Sequence, residues 1–295
     1  MCSLTTTTTT ATAAAARKKK EAKVLDEYFK LPVVCDADTL RSLIRRKRSV
    51  RVVDVRRAED YQREHIYTAV SLPLARVLEN DQPEKIVAFL EELGISDNTP
   101  VVVYDDTFGA LAARVAWTLQ YVGHDNTALL EMTFKRWKEL GLETEKQQRT
   151  FPRARHSLSI KKDIYVDASD VEAAAMSKPS TVLVDSRERL NYLTEHIPGA
   201  RNIPYTMVGS EEDNNILRNA EELRRLIENR GISNDAEIIT YCGSVGTLSG
   251  LTYYALKLAG FKNVKLYPKS FKEWKALGKP KEEFKEATYW DLSAE

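Results

Sequence analysis

Apolar and polar residues follow two different periods along the first half of the chain. Short apolar runs predict strands at residues 50–55, 69–72, 101–104 and 128–130. Segments with apolar residues at helical spacing predict helices at residues 38–46, 83–93 and 110–121. Strands that alternate with helices favour a mainly parallel sheet flanked by helices on both faces. The pattern therefore predicts an α/β fold.

The second half of the chain repeats the first. Residues 52–56 and 64–66 recur 131 positions later, as residues 183–187 and 195–197. A second set of positions keeps an offset of 137: Gly123 and Gly260, Asn126 and Asn263, Trp137 and Trp274. Repetition over so many positions predicts two homologous domains. We expect them at residues 31–142 and 164–290, joined by a polar, basic linker at residues 143–163.

One stretch of the second copy combines a strand pattern, a cysteine and a helix pattern. An apolar run ends at Cys242, a loop of small residues extends to Gly246, and helical spacing continues to Gly260. A strand, a tight loop and a helix present backbone N–H groups and a helix N-terminus to an anion. This setting stabilises a thiolate, so Cys242 is a candidate nucleophile. The alternative is a buried small residue at a strand end.

Composition restricts the function further. The net charge of +1 gives no global field for nucleic acid or an anionic membrane. No apolar run approaches the roughly 20 residues that span a bilayer. Three cysteines without metal-ligand spacing suit a reducing compartment, so we expect a cytoplasmic protein without a metal. Residues 1–30, rich in threonine and alanine, predict a disordered or loosely ordered tail, with organellar import as a minor alternative.

Four segments of the second copy resemble the tandem rhodanese sulfurtransferases. They are Asp-Ser-Arg at 185–187, Glu-His-Ile-Pro-Gly-Ala-Arg-Asn-Ile-Pro at 195–204, Tyr-Cys-Gly-Ser at 241–244 and Phe-x-x-Trp at 271–274. The resemblance implies two rhodanese-like domains, of which the second is catalytic. The first lacks the cysteine, because Asp105 stands where Cys242 stands in the other copy.

The chemistry implied by the resemblance needs one nucleophile and no metal or organic cofactor. Cys242 would take a sulfane sulfur from a small-molecule donor and form a persulfide. Cyanide, a thiol or a thioredoxin-like protein would then accept that sulfur. The candidate substrate-binding residues are Arg187, Gly243, Ser244, Val245, Gly246 and Thr247.

The donor is expected to be 3-mercaptopyruvate or thiosulfate. The neutral sequence Cys-Gly-Ser-Val-Gly-Thr at 242–247 is similar to that of mercaptopyruvate-preferring members, with Val and Gly exchanged. An uncharged loop attracts a dianion less than a basic one, so 3-mercaptopyruvate is predicted to be the better donor. Two departures weaken this prediction: Asn191 replaces a second arginine of longer members, and no histidine lies between His65 and His124.

Two alternatives lie in other functional classes. Dual-specificity phosphatases of the cell-cycle type share the fold but need Cys-x5-Arg, and Leu248 occupies the arginine position here. A non-enzymatic sulfur-relay or regulatory module stays open.

Residues that recur in both copies are expected to be structural, since the copy without the cysteine keeps them. These are His65, His196, Asp54, Asp185, Trp137 and Trp274, together with Arg56.

Overall fold

The computed structural model describes residues 29–46, 50–177, 181–210 and 215–284. Residues 1–28 of the expected tail and residues 285–290 of the expected second domain lie outside this range.

The first domain contains a five-stranded sheet with the order β1-β6-β5-β2-β4, in which every pairing is parallel. Its strands are β1 (Val34–Cys35), β2 (Arg51–Asp54), β3 (His65–Ile66), β4 (Val70–Ser71), β5 (Val101–Tyr104), β6 (Thr127–Leu130) and β7 (Thr144–Glu145). Its helices are α1 (Ala37–Arg45), α2 (Ala58–Arg63), α3 (Leu74–Glu79), α4 (Pro83–Glu92), α5 (Ala110–Tyr121) and α6 (Phe134–Glu139). Strands β3 and β7 form a separate antiparallel pair.

The second domain contains a four-stranded parallel sheet with the order β11-β10-β8-β9. Its strands are β8 (Thr181–Asp185), β9 (Arg201–Asn202), β10 (Glu237–Tyr241) and β11 (Val264–Leu266). Its helices are α7 (Ala168–Ser177), α8 (Arg189–Thr194), α9 (Tyr205–Val208), α10 (Ala220–Glu228), α11 (Thr247–Leu258) and α12 (Ser270–Ala276). The pairings of β1 and of β3 in the first domain have counterparts here as isolated bridges, Tyr165–Leu266 and His196–Glu282.

The α/β architecture expected from the apolar pattern is confirmed. Strand β5 and helix α5 have the bounds predicted for them, and the other predicted elements of the first domain differ by one residue at one or both ends. Local capping explains one such difference. The Asp36 carboxylate accepts a hydrogen bond from the Thr39 N–H at 2.7 Å, so α1 begins at Ala37, one residue before the predicted start.

The two domains share one apolar core. Helix α5 of the first domain packs against α11 of the second. A Cβ atom added at Gly250 would lie 3.4 Å from both the carbonyl carbon of Ala113 and the nitrogen of Arg114. This close approach joins the apolar faces of both domains into one cluster. Trp137 and Trp274 belong instead to separate clusters, one in each domain, and each is 1% exposed.

The segment predicted to be a linker, residues 143–163, lies along the first domain. Strand β7 pairs with β3, and the N–H of Ala154 donates to the carbonyl of Glu91 at 3.0 Å. Two of its basic residues form ion pairs with first-domain carboxylates, Arg153 with Glu91 at 2.8 Å and Lys161 with Asp125. Part of the charge of this segment is therefore used in contacts within the protein.

Candidate active site

Cys242 directly follows β10, which lies between β11 and β8 in the second sheet. Its side chain is 2% exposed. The Cys242 loop (residues 242–247) ends where α11 begins at Thr247, and Gly246 has the left-handed φ of +75°. A Cβ atom at Gly246 would also lie 3.1 Å from Pro268 Cα. Both the backbone dihedral and the lack of space for a side chain therefore favour glycine at this position.

The first domain contains the same loop with a carboxylate in place of the thiol. Asp105 follows β5, and Gly109, with a φ of +86°, precedes α5. In this Asp105 loop (residues 105–110), Oδ1 accepts hydrogen bonds from the N–H groups of Thr107 at 2.8 Å and Gly109 at 2.9 Å. Oδ2 accepts from the Ala112 N–H at 2.9 Å. The loop thus forms a ring of N–H groups around an anionic side chain.

The repeat offset of 137 assigns the equivalent N–H groups of the second domain to Ser244, Gly246 and Ser249. Within the described residues, none of these three N–H groups has a hydrogen-bond acceptor. Burial raises the pKa of Asp105, and the surrounding N–H groups oppose that rise. The Cys242 loop has no carboxylate at this position, and by the repeat its equivalent N–H groups are candidate donors to an anion there.

Ser270 contacts the cysteine directly. The Cys242 N–H donates to Ser270 Oγ at 3.1 Å, and Ser270 Oγ lies 3.7 Å from Cys242 Sγ. The hydroxyl hydrogen has a second acceptor in the Tyr267 carbonyl at 2.9 Å. Ser270 has a φ of +55°, which is strained for a residue with a side chain. Sequence reasoning missed this residue, although the offset of 137 pairs it with Thr133.

The start of α12 also holds the Cys242 loop from one side. The N–H of Phe271 donates to the carbonyl of Cys242 at 3.0 Å, and the N–H of Lys272 donates to the carbonyl of Gly243 at 2.9 Å. Ser270 and its neighbours therefore fix the first two residues of the loop.

Arg187 lies next to the loop, with its Cδ 4.0 Å from a Cβ built at Gly243. Its Nε donates to Asp185 Oδ1 at 3.0 Å, and its Nη2 donates to Asp185 Oδ2 at 2.6 Å. Nη2 also donates to the Glu195 carbonyl at 2.7 Å. The guanidinium carbon lies 4.3 Å from the centroid of the Phe271 ring.

Arg56 makes the same contacts in the domain without the cysteine. Its Nη2 donates to Asp54 at 2.6 Å and to the Glu64 carbonyl at 2.7 Å, and it lies 4.0 Å from the Phe134 ring centroid. Because both copies keep this arrangement, the contacts of Arg187 support a structural role. The role of Arg187 in substrate binding stays a prediction.

The two histidines expected to be structural are both buried. His65 Nδ1 lies 2.7 Å from the Tyr61 carbonyl, and His196 Nδ1 lies 2.8 Å from the Tyr192 carbonyl. Each ring stacks on that same tyrosine. These matching contacts join α2 to β3 and α8 to the segment that follows it, which is consistent with the structural role expected for both histidines.

A cavity of about 620 Å³ lies between the two domains beside the Cys242 loop. Ser244 and Val245 line it from the loop, and Val245 is 37% exposed. Its wall also includes residues from both domains that the sequence did not single out: Arg114, Trp117, Tyr165, Lys269 and Lys272. These residues are distant in sequence, and only the packing of the domains brings them together.

Comparison with known proteins agrees with this geometry. The rhodanese-like domain family matches residues 36–140 and 168–277. The sulfur carrier protein TtuD of Thermus thermophilus is 30% identical over 211 residues, which cover 65% of this chain and 73% of TtuD. The 3-mercaptopyruvate sulfurtransferase of Escherichia coli K12 is 28% identical over 240 residues, 74% of this chain and 83% of the relative. The solved structure of SseA from Escherichia coli, a 3-mercaptopyruvate sulfotransferase, has a TM-score of 0.72 at 25% identity and covers 82% of this chain and 99% of that one.

The chain therefore belongs to the rhodanese family, with two rhodanese-like regions in tandem. It is a sulfurtransferase enzyme, as the sequence resemblance led us to expect. Among the helices of the described residues, none combines the length and the apolar character that crossing a bilayer requires.

Proposed function

We propose that this protein moves a sulfane sulfur from 3-mercaptopyruvate or thiosulfate to a thiophilic acceptor through a persulfide on Cys242. The Cys242 thiolate attacks the outer sulfur of thiosulfate or the thiol sulfur of 3-mercaptopyruvate, and the bond between that sulfur and the rest of the donor breaks. The bonding electron pair leaves with sulfite or with pyruvate as its enolate, and the enolate takes up the proton of the donor thiol. An acceptor thiolate or cyanide then attacks the outer sulfur, and the electron pair of the sulfur–sulfur bond returns to Cys242.

The observation that carries the proposal is the Asp105 carboxylate in its ring of N–H groups. In aspartate, the charged oxygen is two bonds beyond Cβ. In a cysteine persulfide, the terminal sulfur is also two bonds beyond Cβ. A persulfide on Cys242 would therefore place its anionic sulfur where the equivalent N–H groups of Ser244, Gly246 and Ser249 can donate to it.

The remaining loop residues have supporting roles in this proposal. Gly243 leaves room beside Arg187, and Val245 presents an apolar surface to the cavity. The Ser244 and Thr247 hydroxyls are the candidate donors to the substrate. Arg187 is proposed to bind the donor anion, since two of its nitrogens are held by Asp185 and the guanidinium is thereby fixed beside the loop.

We expect 3-mercaptopyruvate to be the better donor, because the Cys242 loop carries no charge of its own. The cavity wall, however, carries three cationic residues, Arg114, Lys269 and Lys272, against the two carboxylates of Asp81 and Glu273, so the site as a whole has an excess of positive charge that its loop lacks. The ratio of kcat/KM for the two donors decides the matter. A clear preference for thiosulfate would show that these wall cations outweigh the neutral loop.

A sulfur-relay module is the second candidate, and the name of the relative TtuD, a sulfur carrier protein, favours it. Such a module would take sulfur from a partner protein and not from a small-molecule donor. The thioredoxin-like acceptor and the cytoplasmic location stay predictions.

The two candidates separate in one experiment. The purified protein is incubated with each donor, and its intact mass is measured. We expect the mass to increase by one sulfur atom. Cys242→Ser should abolish the gain. Cys35→Ser is the matched control, because Cys35 is also a buried free thiol and burial raises its pKa to about 12. If the wild type gains no sulfur from either donor, the relay module is the remaining candidate.

A further inference from the structure

Arg114 is a first-domain residue that reaches the catalytic loop of the second domain. It lies on α5 and is 7% exposed. Its Nε donates to the carbonyl of Val245 at 2.8 Å, and its Nη1 donates to the hydroxyl of Thr118. Its Cδ would lie 3.3 Å from a Cβ at Gly246. The side chain therefore packs directly against the Cys242 loop.

Arg114 has no carboxylate partner within the described residues, where all ion pairs involve other side chains. In the described part of the chain, the other arginines buried to this degree are Arg56 and Arg187, and each pairs with an aspartate. Burial lowers the pKa of Arg114 to about 10, and the charges of Asp81 and Cys242 oppose this shift. A buried cation without a counterion is costly, so this site favours an anion nearby.

The hydrogen bond to Val245 also fixes the direction of a neighbouring N–H group. The Val245 carbonyl and the Gly246 N–H belong to one peptide unit, and no cis peptide occurs in the described residues. In a planar trans peptide these two groups point in opposite directions. When Arg114 holds the carbonyl on the first-domain side, the Gly246 N–H must point away from Arg114.

In the first domain the equivalent N–H, that of Gly109, is held by the Asp105 carboxylate itself. The Cys242 loop has no such internal anion before the reaction, so its ring of N–H groups needs another support. The repeat places Leu251 at the position equivalent to Arg114, and so the first domain alone provides this arginine.

We infer that Arg114 is a positioning residue that the first domain supplies to the reaction. It aims the Gly246 N–H at the sulfur of Cys242 by holding the Val245 carbonyl, and its charge favours the anionic thiolate and persulfide. The inference rests on the proposed function, because it assigns the first domain a role in forming the Cys242 persulfide.

Two variants and one control test the inference. Arg114→Met removes the charge and the hydrogen bonds, and Arg114→Lys keeps a charge on a side chain without the planar fork. Arg51→Met is the matched control. Arg51 is also a partly buried first-domain arginine that donates to backbone carbonyls, those of Leu93 and Gly94, and its pKa is also lowered to about 10 by burial.

Two quantities are measured on each folded variant. One is the single-turnover rate of persulfide formation at saturating donor, and the other is the rate of Cys242 alkylation by iodoacetamide as a function of pH. The other ionisable groups on the cavity wall are those of Asp81, Tyr121, Tyr165, Lys269, Lys272 and Glu273, and every variant keeps them.

We expect Arg114→Met to slow persulfide formation by about 10- to 100-fold, less than the roughly 100- to 1,000-fold lost when a preorganised donor is itself removed, because the variant keeps the Gly246 N–H. Its alkylation profile should move to higher pH, Arg114→Lys should fall between it and the wild type, and Arg51→Met should match the wild type. Wild-type rates and an unchanged profile in either Arg114 variant would overturn the inference.

Failure of the proposed function gives a different result. A wild type that forms no persulfide refutes the sulfur-transfer proposal, while the alkylation profiles still report whether Arg114 favours the thiolate. If Arg114→Met does not fold, Arg114→Lys decides, since its expected intermediate values differ from those of the wild type.

Discussion

Asp105 and Cys242 occupy equivalent positions in the two halves of the molecule. Each directly follows an inner strand of its sheet, β5 or β10, and each begins a loop in which a glycine with positive φ immediately precedes a twelve-residue helix. The Asp105 carboxylate occupies its ring of N–H groups permanently, because it is part of the chain. The Cys242 loop has no such carboxylate, and in the proposed reaction its equivalent N–H groups donate to the anion that forms on the cysteine.

Asp105→Ala should destabilise the protein without stopping sulfur transfer. The substitution leaves three N–H groups without an acceptor, of which those of Gly109 and Ala112 are buried, at a cost of about 1–3 kcal/mol for each group that water cannot reach. Urea unfolding measures this loss, and turnover of the folded variant should stay close to that of the wild type. Asp106→Ala, at an exposed neighbour, is the control. A folded Asp105→Ala protein that transfers no sulfur would show that the first loop takes part in the chemistry.

Ser270→Ala should slow persulfide formation, because it removes the hydroxyl that accepts from the Cys242 N–H and lies 3.7 Å from Sγ. We expect a loss of about tenfold in rate, the equivalent of roughly 1.4 kcal/mol. The rate is measured in single-turnover reactions that are quenched at successive times and analysed by mass spectrometry. Thr133→Ala changes the equivalent residue of the first domain and should leave this rate unchanged. Equal rates for the wild type and Ser270→Ala would limit Ser270 to a structural role.

Arg187→Lys and Arg56→Lys distinguish a structural role from a substrate-binding one. Each substitution removes a planar guanidinium that forms an ion pair with an aspartate, so both should lower the free energy of unfolding by similar amounts. If Arg187 also binds the donor, KM should rise about tenfold in Arg187→Lys alone, a change of roughly 1.4 kcal/mol. Equal KM values in the two variants would remove Arg187 from the substrate-binding residues.

A pair of buried histidines predicts how stability depends on pH. His124 Nδ1 lies 3.1 Å from His156 Nε2, and this contact joins residues 143–163 to the end of α5. Burial lowers the pKa of His124 to about 4 and also lowers the pKa of His156. Both pKa values lie below the value near 6.5 expected in the unfolded chain. The unfolded chain therefore binds more protons at mildly acid pH, and the folded protein loses stability as the pH falls from about 6.5 to about 4.

His156→Gln should reduce this loss, since one titrating partner is removed. The measurement is the free energy of unfolding between pH 4 and pH 8 in wild type and variant. At the upper end both histidines are neutral, so any difference there reports lost packing. Curves that stay parallel down to pH 4 would mean that the pair does not control acid stability.

The fold was predictable because its elements follow from local patterns and from the repeat. Apolar runs such as that of β5 identify buried parallel strands, and helical spacing identifies α5 with the observed bounds. The Cys242 loop was predictable for the same reason, since a cysteine, small residues and a helix signal are contiguous in the sequence. Ser270 was missed because it is 28 residues away from Cys242, in the start of another helix.

Sequence alone determined the duplication, the α/β class and the candidate nucleophile Cys242, because each is written in neighbouring residues or in fixed offsets between them. Tertiary structure decided what surrounds that cysteine. Arg114 approaches Val245 across 131 residues of chain, and it does so because Gly250 lets α5 and α11 come into contact. Such a contact depends on the packing of two domains against each other, and no periodicity or local motif in either domain encodes it.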